Sequence, residues 1–374
     1  MCSKKIVYTG SFDPALCDGV SASFIDLFRY YKTLGNDTYI VSLMHASRGT
    51  SKNRKIIEKM GGEILYCDKS CINYMLYGVN IYHEELPYSR NEVLYSHPPE
   101  VLKKYIEKIK EFQGAFFFTT DTDLTALTAH VVVGSSFVHY VHSPSVFLNV
   151  LKSSSPMYTS FLKSRKNFTV NKLAQGKIKK ELGISTLVWP PFINLDRFKF
   201  ENAYRKKKTI GYYSAGPHKG DKIVRMLIKT MPDYYFVVMG NGSYSFSEYP
   251  NVSALGTESN LEKFYGKVSI ILVPSKVDEG FPRIILEAAI NGIPVIANRK
   301  GGIPDTMGES GIIVDANSDD NITASKYKDI IYSLVNDNNS YEQYRKKAYL
   351  RAEEYKKDIA ELSSYYRDTL LGDL

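Results

Sequence analysis

A chain of 374 residues, 44% of them hydrophobic and 24% charged, is too long for one ordinary core and has the composition of a soluble globular protein, so two domains are expected. The longest apolar runs are strand-sized, which excludes a membrane-spanning helix, and the N-terminal "MCSKKIVYTG" enters its first strand without a signal sequence. The net charge is +8, and four cysteines (Cys2, Cys17, Cys67 and Cys71) show neither zinc-site nor redox-pair spacing, so we expect a reduced, cytoplasmic enzyme.

The first half of the chain alternates short apolar strands with helices. "KIVYTG" predicts a strand, "SFDPALCDGVSAS" a loop, "FIDLFRYYKTLG" an amphipathic helix closed by Gly35, and "TYIVSLM" a second strand. "GAFFFTT", "LTALTAH" and "FVHYVHS" repeat the pattern, and we interpret the intervening Asp121-Thr122-Asp123 as a turn and helix N-cap rather than a DxD metal motif. This alternation predicts a parallel sheet with helices on its faces.

A second set of strands and helices follows the adjacent prolines of "LVWPPFINLDRFKF", residues 187–200. Because Pro-Pro cannot continue a helix or a central strand, this segment is the predicted domain boundary. The predicted strands beyond it are "TIGYYS", "YYFVVMG", "NVSAL", "VSIILVPS", "IPVIAN" and "GIIVD", and the predicted helices are "DKIVRMLIKTM", "SNLEKFYG" and "SYEQYRKKAYLRAEEYKKDIAELSSYYRDTLL". Two doubly wound domains are expected, with ligands bound in a cleft at the C-terminal ends of their strands.

The stretch "VDEGFPRIILEAAINGIPVIANRKGGIPD", residues 277–305, contains two glutamates separated by seven residues. Pro282 suits the first turn of a helix that continues through "RIILEAAI" and ends at Asn291-Gly292. Glu279 is therefore predicted in the loop before the helix and Glu287 in its second turn. Free backbone N–H groups at the helix start favour an anion such as phosphate, and a carboxylate on either side can accept hydrogen bonds from ligand hydroxyls.

A purely structural interpretation of Glu287 is also available. Arg283 precedes it by four residues, so the two side chains can form a surface ion pair worth about 0.2–0.5 kcal/mol. The neighbouring isoleucines, leucine and alanines leave little exposed helix face, however, and a carboxylate in such a helix needs a specific partner. The pattern favours a ligand-binding role over the surface pair.

Several segments of the C-terminal half occur together in a recognisable order. "EGFPRIILE", "GIPVIA" and "GGIPD" resemble the E-x7-E signature of the retaining GT-B glycosyltransferases, which include bacterial and phage glycan glycosyltransferases. "PPFINLDRF", "HKG", "MGNG", "NVSALG" and "VPS" resemble further segments of that family, and the first half is similar more weakly, through "CDGVS" and "HYVHS". The resemblance implies two doubly wound Rossmann-like domains facing a central cleft: a basic acceptor-side domain (1–190), a nucleotide-sugar-binding domain (191–350), and a C-terminal helix (351–374) that packs back on the first domain.

The resemblance also implies a role for individual residues. Glu287 would bind the ribose hydroxyls of a nucleoside diphosphate sugar, Glu279 would contact the transferred sugar, and Lys219 would neutralise the diphosphate leaving group. His142 would contact the donor sugar from the first domain, whereas His130 and His139 are expected to be packing residues. The remaining donor-binding residues implied are Gly19, Thr257, Gly280, Phe281, Pro282 and Arg283. We expect no metal and no cofactor beyond the nucleotide sugar, a UDP-linked co-substrate.

The implied reaction is transfer of a hexosyl or pentosyl group to an acceptor hydroxyl with retention of configuration. The family usually has an arginine about five residues before the lysine, whereas this chain has Tyr212, Tyr213 and Ser214 in that stretch. Lys219 with helix dipoles, or an arginine from elsewhere, would then hold the diphosphate. The departure leaves open a GT-B-shaped scaffold deficient in donor binding. A nucleotide-sugar epimerase of similar fold is a separate alternative.

Charge distribution bears on the acceptor. Residues 1–200 hold 25 Lys and Arg against 17 Asp and Glu, whereas residues 201–374 hold 23 of each, and residues 151–200 alone hold ten basic and two acidic side chains. This asymmetry favours an anionic acceptor or carrier, although a solvated basic surface explains it equally well. The candidates are a membrane glycolipid or glycan, with residues 146–168 as an anchor at the inner membrane face, and a hydroxylated base of phage DNA in an infected host cell.

Overall fold

The computed structural model describes residues 4–13, 19–45, 50–88, 98–120, 123–142, 147–148, 162, 166–200, 208–213, 215–256 and 261–372. The chain divides into two compact units, one formed by Met1–Ile193 with Ile359–Leu374 and the other by Asn194–Asp358. The domain boundary was predicted between residues 190 and 191. The observed division lies between residues 193 and 194, in the same "PPFIN" segment.

In the part of the first unit that the structure describes, nine strands form one sheet. Its strands are β1 (Lys5–Thr9), β2 (Asp37–His45), β3 (Glu63–Cys67), β4 (Cys71–Leu76), β5 (Val79–Leu86), β6 (Phe116–Thr120), β7 (Phe137–Val141), β8 (Asn167–Thr169) and β9 (Leu187–Val188), in the order β3-β4-β5-β2-β1-β6-β7-β8-β9. All neighbours from β5 to β9 run parallel, and their apolar, β-branched and aromatic side chains suit a sheet buried on both faces.

Helices of the first unit pack on both faces of this sheet. Those described with both ends are α1 (Gly19–Thr33), α2 (Thr50–Lys59), α3 (Pro99–Glu111), α4 (Leu124–Val133) and α5 (Lys172–Leu182). One core cluster joins the β1, β2 and β6 side chains Val7, Val41 and Phe117 to Tyr105 of α3 and Leu127 of α4. A second group of buried rings includes Phe24 of α1, whose ring stacks on Tyr8 with centroids 4.3 Å apart.

An antiparallel hairpin, β3–β4, extends the parallel part of the sheet and differs from the predicted pattern. β4 pairs antiparallel with both β3 and β5, and Leu76 lies opposite Val79 across a two-residue turn. The turn residues Tyr77 and Gly78 have φ values of 52° and 80°, the left-handed geometry that such hairpins require. The sequence "YG" carries a weaker turn signal than Asn-Gly, which is why the prediction missed the β4–β5 hairpin.

The described residues of the second unit include six strands that form one parallel sheet. Its strands are β10 (Thr209–Tyr213), β11 (Tyr235–Met239), β12 (Val252–Ala254), β13 (Ile270–Val273), β14 (Val295–Asn298) and β15 (Gly311–Val314), in the order β12-β11-β10-β13-β14-β15. The helices are α6 (Asp221–Thr230), α7 (Leu261–Tyr265), α8 (Arg283–Ala289), α9 (Ile303–Met307), α10 (Asp320–Asn336) and α11 (Asn338–Gly372), whose last part belongs to the first unit. The predicted pair of doubly wound α/β domains is confirmed.

Two helix starts differ from the prediction. Helix α1 begins at Gly19, so "GVSAS" is helical although it was predicted as part of a loop. Within this first turn, Ser23 Oγ donates to the Gly19 carbonyl at 2.7 Å. Helix α8 begins at Arg283, and Pro282 is its N-cap rather than a first-turn residue. The observed α8 is seven residues long and ends at Ala289, two residues before the predicted stop at Asn291.

The end of α11 is held in the first unit by specific hydrogen bonds. Trp189 Nε1 donates to Ser363 Oγ at 3.1 Å, and the Tyr31 hydroxyl donates to the Ser363 carbonyl at 3.2 Å. All three residues are buried. Because an unpaired indole N–H or phenol in the core is costly, these bonds fix the position of this helix segment against the first sheet.

Candidate functional site

The site residues of the second unit lie on the loops that follow β10 and β13. In the strand order of this sheet, chain connections leave β10 in one direction and β13 in the other, which is the switch point where open α/β sheets bind ligands. The Lys276 N–H donates to the His218 carbonyl at 2.9 Å and joins the two loops. Gly220 has φ +82°, and a Cβ there would lie 2.1 Å from the Pro274 carbonyl oxygen, so only glycine permits this close approach.

Lys219, Glu279 and Ser275 form one hydrogen-bonded cluster at this switch point. Lys219 Nζ lies 2.6 Å from Glu279 Oε1, and Ser275 Oγ donates to the same oxygen at 2.5 Å. The Lys219 and Glu279 side chains are 29% and 15% exposed, so the pair is partly shielded but reachable from solvent. Because both contacts go to Oε1, a ligand hydroxyl can bond to Oε2.

Buried hydrogen bonds fix the backbone that carries this cluster. The Ser275 carbonyl accepts from Asn298 Nδ2 at 3.1 Å, and Asn298 Oδ1 accepts from the Tyr327 hydroxyl at 3.0 Å. These three residues are each at most 1% exposed. The Glu279 carbonyl accepts from the Gly302 N–H at 2.7 Å, which fixes the backbone as well. Glu279 is therefore preorganised through both its side chain and its main chain.

Glu287 has two partners of its own. The Tyr265 hydroxyl donates to Glu287 Oε2 at 2.6 Å, and Arg283 Nε lies 3.3 Å from Oε1. The predicted i, i+4 pair with Arg283 is present, but its side chains are only 11% and 13% exposed, so it is not the surface pair of the structural interpretation. An ionised carboxylate has about four acceptor positions, and these partners use two of them.

The segment between the two glutamates contains three of the predicted donor-binding residues. Gly280 and Phe281 are half-buried and Pro282 is buried, and the Phe281 ring lies 6.0 Å from that of Tyr355. The Pro282 carbonyl accepts from the Ile285 N–H at 3.1 Å and starts α8. The predicted binding of phosphate by amides of this segment stays a prediction.

His142 and Gly19 belong to the first unit. Half-buried His142 follows β7, with its ring centroid 4.3 Å from that of Tyr140 and 5.4 Å from that of Phe24. It lines a crevice with Ser23, Phe24, Leu27, Tyr140, Trp189, Pro190, Pro191 and Phe192. Gly19 is the first residue of α1 and is bonded through its carbonyl to Ser23, so the helix start and the His142 crevice are connected.

Three other titratable residues singled out from the sequence have structural positions. Asp123 is the N-cap of α4, accepting from the Ala126 N–H at 2.9 Å, as predicted; burial raises the pKa of its carboxyl to about 6. His130 and His139 are fully buried, and burial lowers the pKa of each ring to about 3, in agreement with packing roles. Asp121, Thr122, Ser214 and the predicted donor-binding Thr257 lie outside the described residues.

In the described part of the chain, no group of three or more His, Cys, Asp and Glu side chains is arranged to hold a metal ion. None of the helices so described is long and apolar enough to cross a membrane.

Sequence reasoning missed the residues that hold the two glutamates. Ser275 lies in the "VPS" segment, so its place at the end of β13 was recognisable, but its bond to Glu279 was not. Tyr265 is 22 residues from Glu287, and nothing in "KFYG" distinguishes it from the adjacent Phe264. Asn298 likewise has no signal beyond its place at the end of a predicted strand.

Residues 211–331 match the model of a known protein family, the "Glycosyl transferases group 1". This segment is similar to group 1 glycosyltransferases. It contains β11 to β15 and most of β10, together with Lys219, Glu279 and Glu287. The resemblance inferred from the C-terminal half is confirmed at this level, and the retaining subfamily stays a prediction.

Two curated glycosyltransferases are similar to parts of the chain. The D-inositol 3-phosphate glycosyltransferase of Corynebacterium glutamicum is 31% identical over 119 residues, covering 31% of this chain and 27% of that protein. The GDP-mannose-dependent alpha-(1-6)-phosphatidylinositol monomannoside mannosyltransferase of Mycolicibacterium smegmatis is 28% identical over 170 residues, covering 36% and 44%. The matched regions thus span less than half the length of either relative.

Solved glycosyltransferase structures are similar over nearly the whole chain. The sucrose-phosphate synthase of Thermosynechococcus elongatus has a TM-score of 0.73 at 15% identity, covering 99% of this chain and 100% of that one. A Rickettsia africae glycosyltransferase has a TM-score of 0.67 at 19% identity, covering 99% of both chains. Anabaena HepE in complex with UDP and glucose has a TM-score of 0.70 at 16% identity, covering 99% of this chain and 100% of that one. At these identities the similarity shows the fold, and the predicted GT-B fold is confirmed.

Proposed function

We propose that the protein is a retaining glycosyltransferase that transfers a sugar from a nucleoside diphosphate sugar to an acceptor hydroxyl. The observation that carries the proposal is the Lys219–Glu279–Ser275 cluster at the β10/β13 switch point. A fixed carboxylate suits recognition of sugar hydroxyls, and a lysine beside it suits a departing diphosphate. The match of residues 211–331 to group 1 glycosyltransferases supports the same chemistry.

Each predicted site residue has a place in this proposal. Glu287 accepts from the ribose hydroxyls, Glu279 accepts from the transferred sugar, and Lys219 neutralises the diphosphate. Arg283 is bonded to Glu287, so we assign the charge expected from the missing arginine to Lys219. The remaining donor contacts are assigned to Gly280, Phe281 and Pro282 from the second unit, to His142 and Gly19 from the first, and to Thr257.

The proposed reaction uses the leaving group as its own base. Lys219 stabilises charge that develops on the diphosphate as the sugar–oxygen bond breaks, and this interaction strengthens toward the transition state. The acceptor hydroxyl attacks from the same face and transfers its proton to a phosphate oxygen, which gives retention without a covalent intermediate. No metal or further cofactor takes part in this proposal.

A screen of nucleotide sugars tests the proposal. Anabaena HepE was solved with UDP and glucose, whereas the Mycolicibacterium relative is named for GDP-mannose, so UDP- and GDP-linked sugars form the two arms and UDP is the donor we expect. The expected results are thermal stabilisation and slow hydrolysis with one donor, both lost in Glu287→Ala. Lys229→Ala, an exposed change at the end of α6, is the matched control.

The alternatives predict different results in the same screen. A donor-binding-deficient scaffold gives no stabilisation by any nucleotide or nucleotide sugar. An epimerase converts the nucleotide sugar to its epimer without acceptor and releases no nucleoside diphosphate. Either result would overturn the transferase proposal.

For the acceptor, we propose a hydroxyl on a phosphate-bearing lipid or glycan. The names of the two curated relatives contain D-inositol 3-phosphate and phosphatidylinositol monomannoside, and the net positive charge of this chain lies in residues 1–200. Binding to vesicles containing an anionic lipid is compared with binding to duplex DNA over a salt series. Tighter binding to DNA at equal salt would favour the nucleic-acid acceptor instead.

A further inference from the structure

Tyr265 forms a shorter hydrogen bond to the Glu287 carboxylate than Arg283 does. The Tyr265 hydroxyl donates to Glu287 Oε2 at 2.6 Å, whereas the Arg283 contact to Oε1 is 3.3 Å long. Burial, reinforced by the Glu287 charge, raises the pKa of the Tyr265 phenol well above its ordinary value. The hydroxyl therefore keeps its proton and acts as a hydrogen-bond donor throughout the working pH range.

The Tyr265 ring is itself held firmly. It is fully buried, with ring centroids 5.2 Å from Phe264, 6.3 Å from Phe198 and 6.2 Å from Phe200. Such edge-to-face and stacked contacts fix both the ring plane and the direction of the hydroxyl.

Asn291 connects residues 198–200, whose phenylalanine rings pack on Tyr265, to the helix that contains Glu287. Its side chain donates to the Phe198 and Glu287 carbonyls, at 2.5 and 2.9 Å, and accepts from the Phe200 N–H at 2.9 Å. The segment over Tyr265 and the backbone of Glu287 are thus fixed by one buried amide.

We propose that Tyr265 is a positioning residue that orients the Glu287 carboxylate for the ribose of the donor nucleotide. The inference rests on the proposed function, in which Glu287 binds the ribose. With Tyr265 on one oxygen and Arg283 on the other, the carboxylate plane is fixed and its two remaining acceptor positions point in set directions. Ribose binding then needs no rotation of the Glu287 side chain, whose immobilisation would otherwise weaken binding.

Ribose hydroxyls give a readout that separates positioning from general stability. The dissociation constants of the preferred nucleoside diphosphate and of its 2′,3′-dideoxy analogue are measured by calorimetry. Tyr265→Phe keeps the buried ring and removes only the hydroxyl. We expect it to weaken the natural nucleotide by about ten-fold, in line with one hydrogen bond to a charged group, and to leave the dideoxy analogue within about two-fold. Tyr341→Phe, which removes a buried hydroxyl bonded to the Ser269 carbonyl, is the matched control and should change neither constant.

The outcomes also distinguish this inference from the proposed function. If Glu287→Ala removes the preference for the ribonucleotide but Tyr265→Phe does not reduce it, the positioning role is wrong and the ribose site stands. Equal weakening of both nucleotides in Tyr265→Phe would indicate a structural role only and would overturn the inference. If Glu287→Ala leaves the preference intact, the ribose assignment itself fails.

Discussion

Lys219 Nζ lies 2.6 Å from Glu279 Oε1 in the second unit. If its charge stabilises a departing diphosphate, its loss should slow transfer more than it weakens donor binding. We expect Lys219→Ala to lower kcat by about 100- to 1000-fold, comparable to removing one preorganised donor at a developing negative charge. Steady-state release of nucleoside diphosphate measures this. Lys229→Ala is the control, and a loss below about three-fold in kcat would remove Lys219 from the proposed chemistry.

Ser275 offers a test of Glu279 that leaves both charges in place. Ser275→Ala removes the hydroxyl that donates to Glu279 Oε1, and hydrogen bonds to charged groups are worth about 1.5–3 kcal/mol. We expect kcat/KM for the donor to fall by about ten-fold or more, since Glu279 would rotate more freely.

Ser269→Ala is the matched control for that change. Ser269 is another buried serine of the same unit, and its hydroxyl donates to the Thr209 carbonyl at 2.9 Å. Both variants should unfold at similar denaturant concentrations, whereas only Ser275→Ala should lose activity. Loss of activity in both would mean that the defect is structural.

At the residue scale, the sequence predicted partners that are close along the chain and missed those that the fold supplies. The i, i+4 spacing predicts the Arg283–Glu287 pair because one helix turn fixes that distance. Tyr265 and Ser275 meet the glutamates only through the packing of α7 and the loop after β13, which no local pattern encodes. The Arg283–Glu287 pair was expected at the surface, but the fold shields both side chains from solvent.

At the scale of elements, two aspartate N-caps have opposite electrostatic environments. Asp123 caps α4 from a fully buried position, and burial raises the pKa of its carboxyl from 3.8 to about 6. Asp319 caps α10 at the surface, and the bond from the Asn321 N–H lowers the pKa of its carboxyl. The buried environment of Asp123 therefore opposes ionisation of its carboxyl, whereas the surroundings of Asp319 favour ionisation.

This contrast predicts a pH dependence of stability. Between pH 4 and 6, folded Asp123 binds more protons than the unfolded carboxyl, so its contribution to the free energy of unfolding falls as pH rises through that window. Asp123→Asn keeps a capping oxygen and removes the buried charge. We expect the variant to gain roughly 3 kcal/mol relative to the natural protein between pH 4 and pH 7, at about 1.4 kcal/mol per pKa unit. Urea unfolding at a series of pH values measures this difference.

Asp319→Asn provides the comparison of opposite sign. The lowered pKa of Asp319 means that its stabilising contribution is present above pH 4 and is lost as pH falls through the folded pKa. Its variant should therefore lose stability near pH 7 and match the natural protein in strong acid. A flat difference for Asp123→Asn across pH 4–7 would show that the Asp123 carboxyl titrates normally.

Element boundaries show where local patterns stop being informative. "GVSAS" resembles a polar loop, yet it forms the first turn of α1, where Ser21 Oγ accepts from the Asp13 N–H at 2.7 Å and Ser23 bonds back to Gly19. Serine side chains satisfy loop and helix backbones equally well, so the choice is made by tertiary contacts. Pro282 is similar, because an N-cap and a first-turn position both tolerate its missing N–H.

At the scale of the whole molecule, the repeated strand–helix alternation was sufficient to predict both doubly wound units. The adjacent prolines Pro190 and Pro191 lie three residues before the division between residues 193 and 194. The antiparallel β4–β5 hairpin could not be predicted in the same way, because its two-residue turn holds Tyr77 in a left-handed conformation that few sequence patterns indicate. Residues paired across such a turn are recognised only from the completed sheet.

Charge is also a property of the whole molecule, and α5 provides the lysines with which to test it. Lys172 and Lys180 are exposed on this helix, close in sequence to exposed Leu173 and Leu187. Lysines near an anionic membrane surface contribute about 1 kcal/mol each, so Lys172→Ala with Lys180→Ala should weaken binding to anionic vesicles by about 10- to 30-fold. The loss should shrink as salt screens the interaction.

The matched double variant removes equal charge from the second unit. Lys229→Ala with Lys346→Ala alters two exposed lysines of α6 and α11, in the half of the chain whose basic and acidic residues are equal in number. If the first unit faces an anionic carrier, this control keeps its vesicle binding while the α5 variant loses it, and transfer to a water-soluble acceptor is unchanged in both. Equal losses in the two variants would show that net charge, rather than the basic first unit, governs association.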